Sequence, residues 1–335
     1  MSERYSRQIL FSHIGSQGQQ RLRSSKVAVV GCGAIGASTC SLLSRAGVGT
    51  LQIIDRDYVE ESNLQRQVLF DEGDAAQSLP KAEAAKRKIA AINSEISVEA
   101  LVRDLTPESI ALVEDANVIL DCTDNFETRY LINDFAVSRN RPWIYAAAVG
   151  AYAVSMNVLP GETACLACVF PQAPVGTFAT CETAGILNSA SSFISAIQVA
   201  EALKLLVEDI ASLRRTLLSF DLWSNERSEL AAHSPRADCH VCQEKKFDYL
   251  TGKARPQITL CGRNSVQIHE RERPVDFDEI ASRLQPHGQV RYNEMILKFR
   301  RENYELTLFT DGRAIVTGTT DPAVARSLYA RFIGS

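Results

Sequence analysis

Between residues 26 and 147, short apolar runs alternate with longer stretches in which apolar positions recur every three or four residues. Lys26–Gly31 (KVAVVG), Leu51–Asp55 (LQIID), Val118–Asp121 and Trp143–Ala147 are short and rich in apolar, often β-branched residues, which predicts buried strands. Ser97–Leu101 predicts a further strand. Between them, Ala34–Ala46 (stopped by Gly47), Lys81–Asn93, Pro107–Val113 and Asn125–Arg139 carry helical spacing. Strand and helix alternate, so the expected sheet is largely parallel with helices on both faces. Residues 1–25 read as a polar N-terminal arm with an amphipathic stretch.

After Gly150 the rhythm changes. Tyr152–Leu159 alternates imperfectly and predicts an antiparallel strand, Ser189–Val207 a long helix, and Leu213–Leu222 a last strand. A charged stretch with Gly252 and Pro256 marks a boundary within residues 245–256. Beyond it, strands are expected at Gln257–Cys261, Val266–His269, Met295–Arg300, Tyr304–Thr310 and Ala314–Thr317. Asp276 with Glu279 forms a capping box before a helix at Phe277–Leu284. Asp321 followed by Pro322 opens a second helix, Ala323–Phe332. The expectation is an α/β nucleotide-binding domain over residues 1–250 and a small α+β domain over residues 256–335.

Composition narrows the function. Lys plus Arg is 36 and Asp plus Glu is 40, a net charge of −4, which gives no electrostatic reason to expect nucleic acid or a membrane surface as partner. The N-terminal MSERYSRQIL lacks the apolar core of a signal peptide, and no eighteen-residue apolar run occurs, so a cytoplasmic protein is expected. There, nine cysteines read as ligands, nucleophiles or core residues rather than disulfides.

Gly31-Cys32-Gly33-Ala34-Ile35-Gly36 follows a strand and opens a helix, the setting of a Rossmann-like nucleotide fingerprint. Gly31 permits the tight turn, Gly33 lets the backbone approach a phosphate, and Gly36 allows close packing of helix on strand. Asp55, at the end of the second strand, is placed to accept ribose hydroxyls. The motif alone does not separate NAD from ATP. Asn63, Arg66 and Lys81 follow within one segment; they suit a triphosphate better than a dinucleotide, although a solvated polar loop would also contain such residues. Asp121-Cys122-Thr123-Asp124-Asn125 ends the Val118 strand, where a carboxylate could hold Mg²⁺ or Asp124 could merely cap a helix. Cys165-Leu166-Ala167-Cys168 and Cys239-His240-Val241-Cys242 form two matched CxxC pairs, the pattern of a closed structural zinc site rather than a redox pair, with His240 a bystander. Cys181 lies in a loop before the long helix and could be a thiolate nucleophile or inert. Cys32, Cys40, Cys122 and Cys261 read as small buried residues.

Taken together, the motifs resemble the ThiF/MoeB/HesA family, bacterial relatives of ubiquitin-activating enzymes. The matching pieces are Arg4-Tyr5-Ser6-Arg7-Gln8, GCGAIG at 31–36, IDRDYVEESNLQRQ at 54–67, LPKAEAAK at 79–86, DCTDN at 121–125, both CxxC pairs, and TCETAG at 180–185. The resemblance implies ATP-dependent adenylation of the C-terminal Gly-Gly carboxylate of a ubiquitin-like sulfur carrier. It assigns Gly31, Gly33, Gly36, Asp55 and Asp57 to the nucleotide, Asn63, Arg66 and Lys81 to the triphosphate, and Asp124 to Mg²⁺. Arg7 would reach into the partner's site of a homodimer, and Cys181 would take part in sulfur transfer from a persulfide donor. Gln77-Ser78-Leu79-Pro80-Lys81 departs from the family's commoner Gly-Gln-Pro-Lys but keeps the lysine. The C-terminal segment is similar to that of longer ThiF-type proteins of thiazole synthesis, which favours the thiamin branch. A molybdopterin-pathway carrier, a ubiquitin-like modifier and a non-catalytic carrier-binding scaffold remain alternatives.

Overall fold

In the computed structural model, the described residues are 3–172, 184–252, 259–260, 265–268, 275–310, 312 and 314–333. The chain divides into two compact units, Met1–Ala76 with Pro80–Ala254, and Gln77–Leu79 with Arg255–Ser335.

The first unit is built on an eight-stranded sheet of order β3-β2-β1-β4-β5-β6-β7-β8. Its strands are β1 (Lys26–Val30), β2 (Thr50–Ile54), β3 (Ser97–Leu101), β4 (Val118–Asp121), β5 (Trp143–Val149), β6 (Tyr152–Val158), β7 (Thr216–Asp221) and β8 (Glu226–Ala231). The first five run parallel and the last three add on antiparallel. Helices α1 (Ser6–Ile9), α2 (Gly15–Ser24), α3 (Ala34–Ala46), α4 (Glu72–Ala76), α5 (Lys81–Ile92), α6 (Phe126–Arg139), α7 (Leu166–Val169) and α8 (Asn188–Leu206) complete it. The apolar runs of β1, β2 and β4 are buried nearly throughout, as strands covered on both faces must be. α3 ends at Gly47, whose left-handed conformation (φ 80°) lets its N–H turn back to the Ser44 carbonyl.

Two expectations changed. The helix over Pro107–Val113 is a single 3₁₀ turn, Ile110–Val113, because only Ile110 and Val113 find a buried face. β8 had no apolar signal at all; its six residues are exposed, and pairing with β7 alone makes it a strand.

The second unit holds a six-stranded antiparallel sheet of order β11-β12-β13-β14-β10-β9. The strands are β9 (Thr259–Leu260), β10 (Ser265–Ile268), β11 (Gln289–Tyr292), β12 (Ile296–Arg301), β13 (Tyr304–Phe309) and β14 (Ala314–Thr317). Helices α9 (Phe277–Leu284) and α10 (Pro322–Phe332) pack Ile280, Leu284, Ala325 and Phe332 with Leu297, Phe299, Leu306 and Leu308 of the sheet. Both N-caps form, with Asp276 accepting from the Asp278 and Glu279 N–H groups and Asp321 from that of Ala323, while the return bond from the Glu279 side chain that a capping box requires is not found among the described residues. β11 was not expected; it is polar and half exposed, an edge strand held by β12.

A nucleotide cleft at the strand switch point

Parallel register builds the cleft. Val30 pairs with Ile54 on one side and with Asp121 on the other, so the residues that follow these three strands emerge side by side. They are Gly31, Asp55 and the Cys122–Asp124 turn. β1 and β4 are neighbours from which the chain order runs in opposite directions, the switch point at which open α/β sheets bind ligands.

The three glycines have distinct physical reasons. Gly31 has φ +87°, and a Cβ there would lie 2.8 Å from the Cys122 carbonyl oxygen. A Cβ on Gly36 would lie 2.0 Å from the Gly31 carbonyl oxygen, so helix α3 could not start so close to β1. At Gly33 the nearest atom to a Cβ would be Gln67 Nε2, at 3.9 Å, so the turn itself does not demand glycine there. That backbone faces open space, as approach of a phosphate requires. The Gln67 amide oxygen is buried and has no hydrogen-bond partner among the described residues, an orphaned acceptor in the same place.

Asp55 is buried and spans the turn. One carboxylate oxygen accepts the Cys32 N–H at 2.5 Å and the other the Asp57 N–H at 2.7 Å. Burial raises its pKa, partly countered by the positive charge of Lys81, while Asp57 adds to the rise. Lys81, at the first position of α5, is 3% exposed, and its Nζ lies 3.2 Å from the Asp57 carboxylate. A buried ammonium needs such a partner to stay charged. Asn63 is buried and closes a 3₁₀ turn in a capping box with Glu60. Arg66 Nη1 donates to the Ser62 carbonyl at 2.7 Å and is half exposed. Asp124 is exposed and lies within electrostatic reach of Arg56 and Arg129. It does not cap α6; Asn125 does, accepting the Thr128 N–H at 2.8 Å. The Asp124 carboxylate therefore has oxygens to offer a hard cation and phosphate oxygens, which fits Mg²⁺.

Arg7 stands apart from this group by design of its segment. Tyr5 is buried against Gly47 and accepts the Asn93 amide at 2.8 Å, and Gln8 donates to the Ala46 carbonyl at 2.8 Å. These neighbours anchor the arm and leave Arg7 exposed on α1. Cys181 lies outside the described residues.

Sequence reasoning overlooked the scaffold beneath the cleft. Arg129 is buried on α6, with Nε 3.4 Å from Asp121 and its guanidinium over the rings of Phe126 and Tyr145. Burial disfavours its charge, and the negative field of Asp121 and Asp124 contributes to holding its pKa above the ordinary value. Gln198 of α8 donates to the carbonyls of Asp121 and Ile144, at 2.9 and 3.0 Å. A buried glutamine or arginine inside a helical pattern gives no sign of which strand end it will hold.

The four cysteines of the CxxC pairs converge as expected. Cys165 Sγ lies 3.7 Å from both Cys168 Sγ and Cys239 Sγ, and Cys168 Sγ lies 3.4 Å from Cys242 Sγ. All four sulfurs are within 4.8 Å of one another. Thiolates at the zinc–sulfur distance in a tetrahedron stand about 3.8 Å apart, so the set fits Zn²⁺ in a closed structural site. The Arg236 N–H points at Cys168 Sγ from 3.3 Å, an outer contact that steadies a ligand. Cys32, Cys40 and Cys122 are buried thiols, as expected, and Cys261 is outside the described residues.

This geometry defines an α/β domain with a glycine turn at its strand switch point and a cluster of four cysteines. The profile of the ThiF family matches residues 5–241, and the chain belongs to that family. It is 44% identical over 339 residues to the Sulfur carrier protein ThiS adenylyltransferase of Bacillus subtilis, covering 100% of both chains. It is 36% identical over 248 residues to the SAMP-activating enzyme E1 of Haloferax volcanii, covering 73% of this chain and 90% of the relative. Among solved structures, E. coli MccB with ATP matches at 25% identity with a TM-score of 0.63, over 72% of this chain and 75% of that one.

Proposed function

We propose that this chain is an ATP-dependent adenylyltransferase for the C-terminal Gly-Gly carboxylate of a small ubiquitin-like sulfur carrier, with a ThiS-like carrier of the thiamin thiazole branch as its substrate. The observation that carries the choice of branch is the extent of similarity. The match to the B. subtilis ThiS adenylyltransferase runs over the second unit as well, whereas that to the archaeal enzyme covers 73% of the chain.

The proposed chemistry follows from charge. The carrier's carboxylate is already ionised and needs no general base. It attacks the α-phosphorus of ATP in line, forming the acyl–phosphate bond as the bond to the bridging oxygen breaks and pyrophosphate leaves. Gly31, Gly33 and Gly36 shape the turn around the phosphates, and Asp55 and Asp57 organise the ribose end and the lysine. Asn63, Arg66 and Lys81 take the β- and γ-phosphates and offset the charge of the leaving group. Asp124 would hold Mg²⁺, which supplies further neutralisation of phosphate charge. Arg7, exposed on its anchored helix, would act in the cleft of a second copy in a homodimer. The outer sulfur of a separate donor's persulfide then attacks the acyl carbon and AMP leaves, giving an acyl disulfide; a thiolate, the role assigned to Cys181, attacks the donor's inner sulfur, forming a mixed disulfide and releasing the thiocarboxylate. Zn²⁺ at Cys165, Cys168, Cys239 and Cys242 would tie α7 to the segment after β8 without entering the reaction. No helix among the described residues is long and apolar enough to cross a membrane.

ATP–pyrophosphate exchange with purified thiamin-type and molybdopterin-type carriers tests the proposal. Exchange that requires a carrier, faster with the thiamin-type one, supports it; faster exchange with the other moves the chain to molybdopterin synthesis. No exchange with either, using dimeric zinc-replete protein, leaves a carrier-binding scaffold.

A further inference from the structure

The second unit contains a cavity that the activation chemistry does not use. It has a volume of about 350 Å³ and is lined by Arg283, Leu284, His287, Arg301, Arg331 and Phe332. No carboxylate is among these residues. The size lies at the small end of the range for small-molecule sites.

The basic groups are held in place rather than loosely gathered. Arg283 Nη2 donates to the Ile333 carbonyl at 2.7 Å and to that of Phe332 at 3.3 Å. The guanidiniums of Arg301 and Arg331 lie over the Phe332 ring, 5.5 and 5.2 Å from its centroid. The His287 ring centroid is 6.3 Å from the same ring. Phe332 is itself fixed by Phe299 at 5.0 Å between centroids, and Leu284 beneath it is buried. Arg283 and Arg331 sit in the last turns of α9 and α10, where cations answer the helix dipole. That accounts for each arginine alone. It does not account for Arg301, which comes from strand β12 and, among the described residues, has the exposed Glu302, at 3.6 Å, as its ion-pair partner.

We propose that this cavity binds a phosphoryl group, free or as the monoester of a small molecule. A carboxylate occupies one guanidinium fork; the guanidiniums of Arg301 and Arg331, the remaining N–H groups of Arg283 and the His287 imidazole around one cavity match the three oxygens and higher charge of a phosphoryl group. Leu284 and Phe332 are the carbon part of the lining. The site lies wholly within the second unit and does not depend on the adenylation reading.

Calorimetry on the full-length protein, with the nucleotide cleft, β- and γ-phosphate positions included, saturated with a non-hydrolysable ATP analogue and Mg²⁺, tests it using inorganic phosphate and phenyl phosphate as separate probes. One site per chain is expected. The double variant Arg301→Gln/Arg331→Gln should weaken it at least tenfold, and Lys81→Ala should leave it unchanged. Arg301→Lys/Arg331→Lys, which keeps the charge and the carbon stems, should weaken it less than the glutamine pair. Tighter binding of phenyl phosphate identifies a monoester as the ligand, and equal binding identifies free phosphate. The inference is overturned by binding of neither probe, by binding that survives the glutamine pair, or by binding lost in Lys81→Ala.

Discussion

Lys81 illustrates how one residue carries both structure and chemistry. Its Nζ is buried 3.2 Å from the Asp57 carboxylate, which fixes its position, and the proposed mechanism sets it against the β- and γ-phosphates. Lys81→Ala should lower pyrophosphate exchange by about 10²-fold or more, the scale of a lost electrostatic stabiliser. Full exchange in that variant would remove the lysine from the proposed machinery. Asp134 makes a prediction of another kind. Its carboxyl on α6 accepts the N–H groups of Tyr249 and Leu250, at 3.0 and 3.4 Å, and its second oxygen is buried without a partner among the described residues. Burial pushes its pKa up to about 7, against a smaller downward pull from the two N–H groups. In the unfolded chain the value returns to about 3.9. The folded state thus binds the proton more tightly, so the contribution to stability is full below about pH 4 and declines as pH rises to 7. Asp134→Asn should flatten that decline in denaturant midpoints between pH 4 and 7. An unchanged slope would assign it to other groups.

At the scale of elements, the glycine turn separates packing from binding. Gly36→Ala drives a methyl into the Gly31 carbonyl and should cost about 3 kcal/mol or more, as severe overpacking does, read as a lower denaturation midpoint. Gly33→Ala meets no close atom, so the fold should be unaffected while ATP binding weakens. Loss of stability at Gly33 and not at Gly36 would reverse the assignment. The glycines, Asp55 and the CxxC pairs were legible in the sequence because their roles depend on local backbone form or on fixed spacing. Arg129 and Gln198 were not, because each acts on a strand end far from it along the chain. β8 and β11 were missed for a related reason: an edge strand needs a neighbour and not an apolar face.

For the whole molecule, two tests concern how separate parts of the chain cooperate. The zinc site would join α7 to the segment after β8, more than seventy residues away, so chelation at neutral pH should release one metal per chain and lower the melting temperature. Retention of the melting temperature after complete metal loss would make the cluster dispensable. The second test concerns Arg7. If it serves the cleft of a second copy, Arg7→Ala and Lys81→Ala proteins should each be inactive alone. Mixed and re-equilibrated, they should recover about a quarter of wild-type exchange, since half the dimers are mixed and each has one intact site. No recovery would place Arg7 in its own chain's cleft.

The sequence by itself determined the alternation of strand and helix, the glycine turn and the four-cysteine set, because hydrophobic period, glycine turns and cysteine spacing are local properties of the chain. Tertiary structure decided what is non-local. Parallel register brought Gly31, Asp55 and Asp124 to one edge, and it buried Lys81 against Asp57. Packing of α9, α10 and β12 around Phe332 collected arginines from three elements into one cavity. No pattern along the chain announces these meetings, because each depends on which distant segments share a surface once the core has closed.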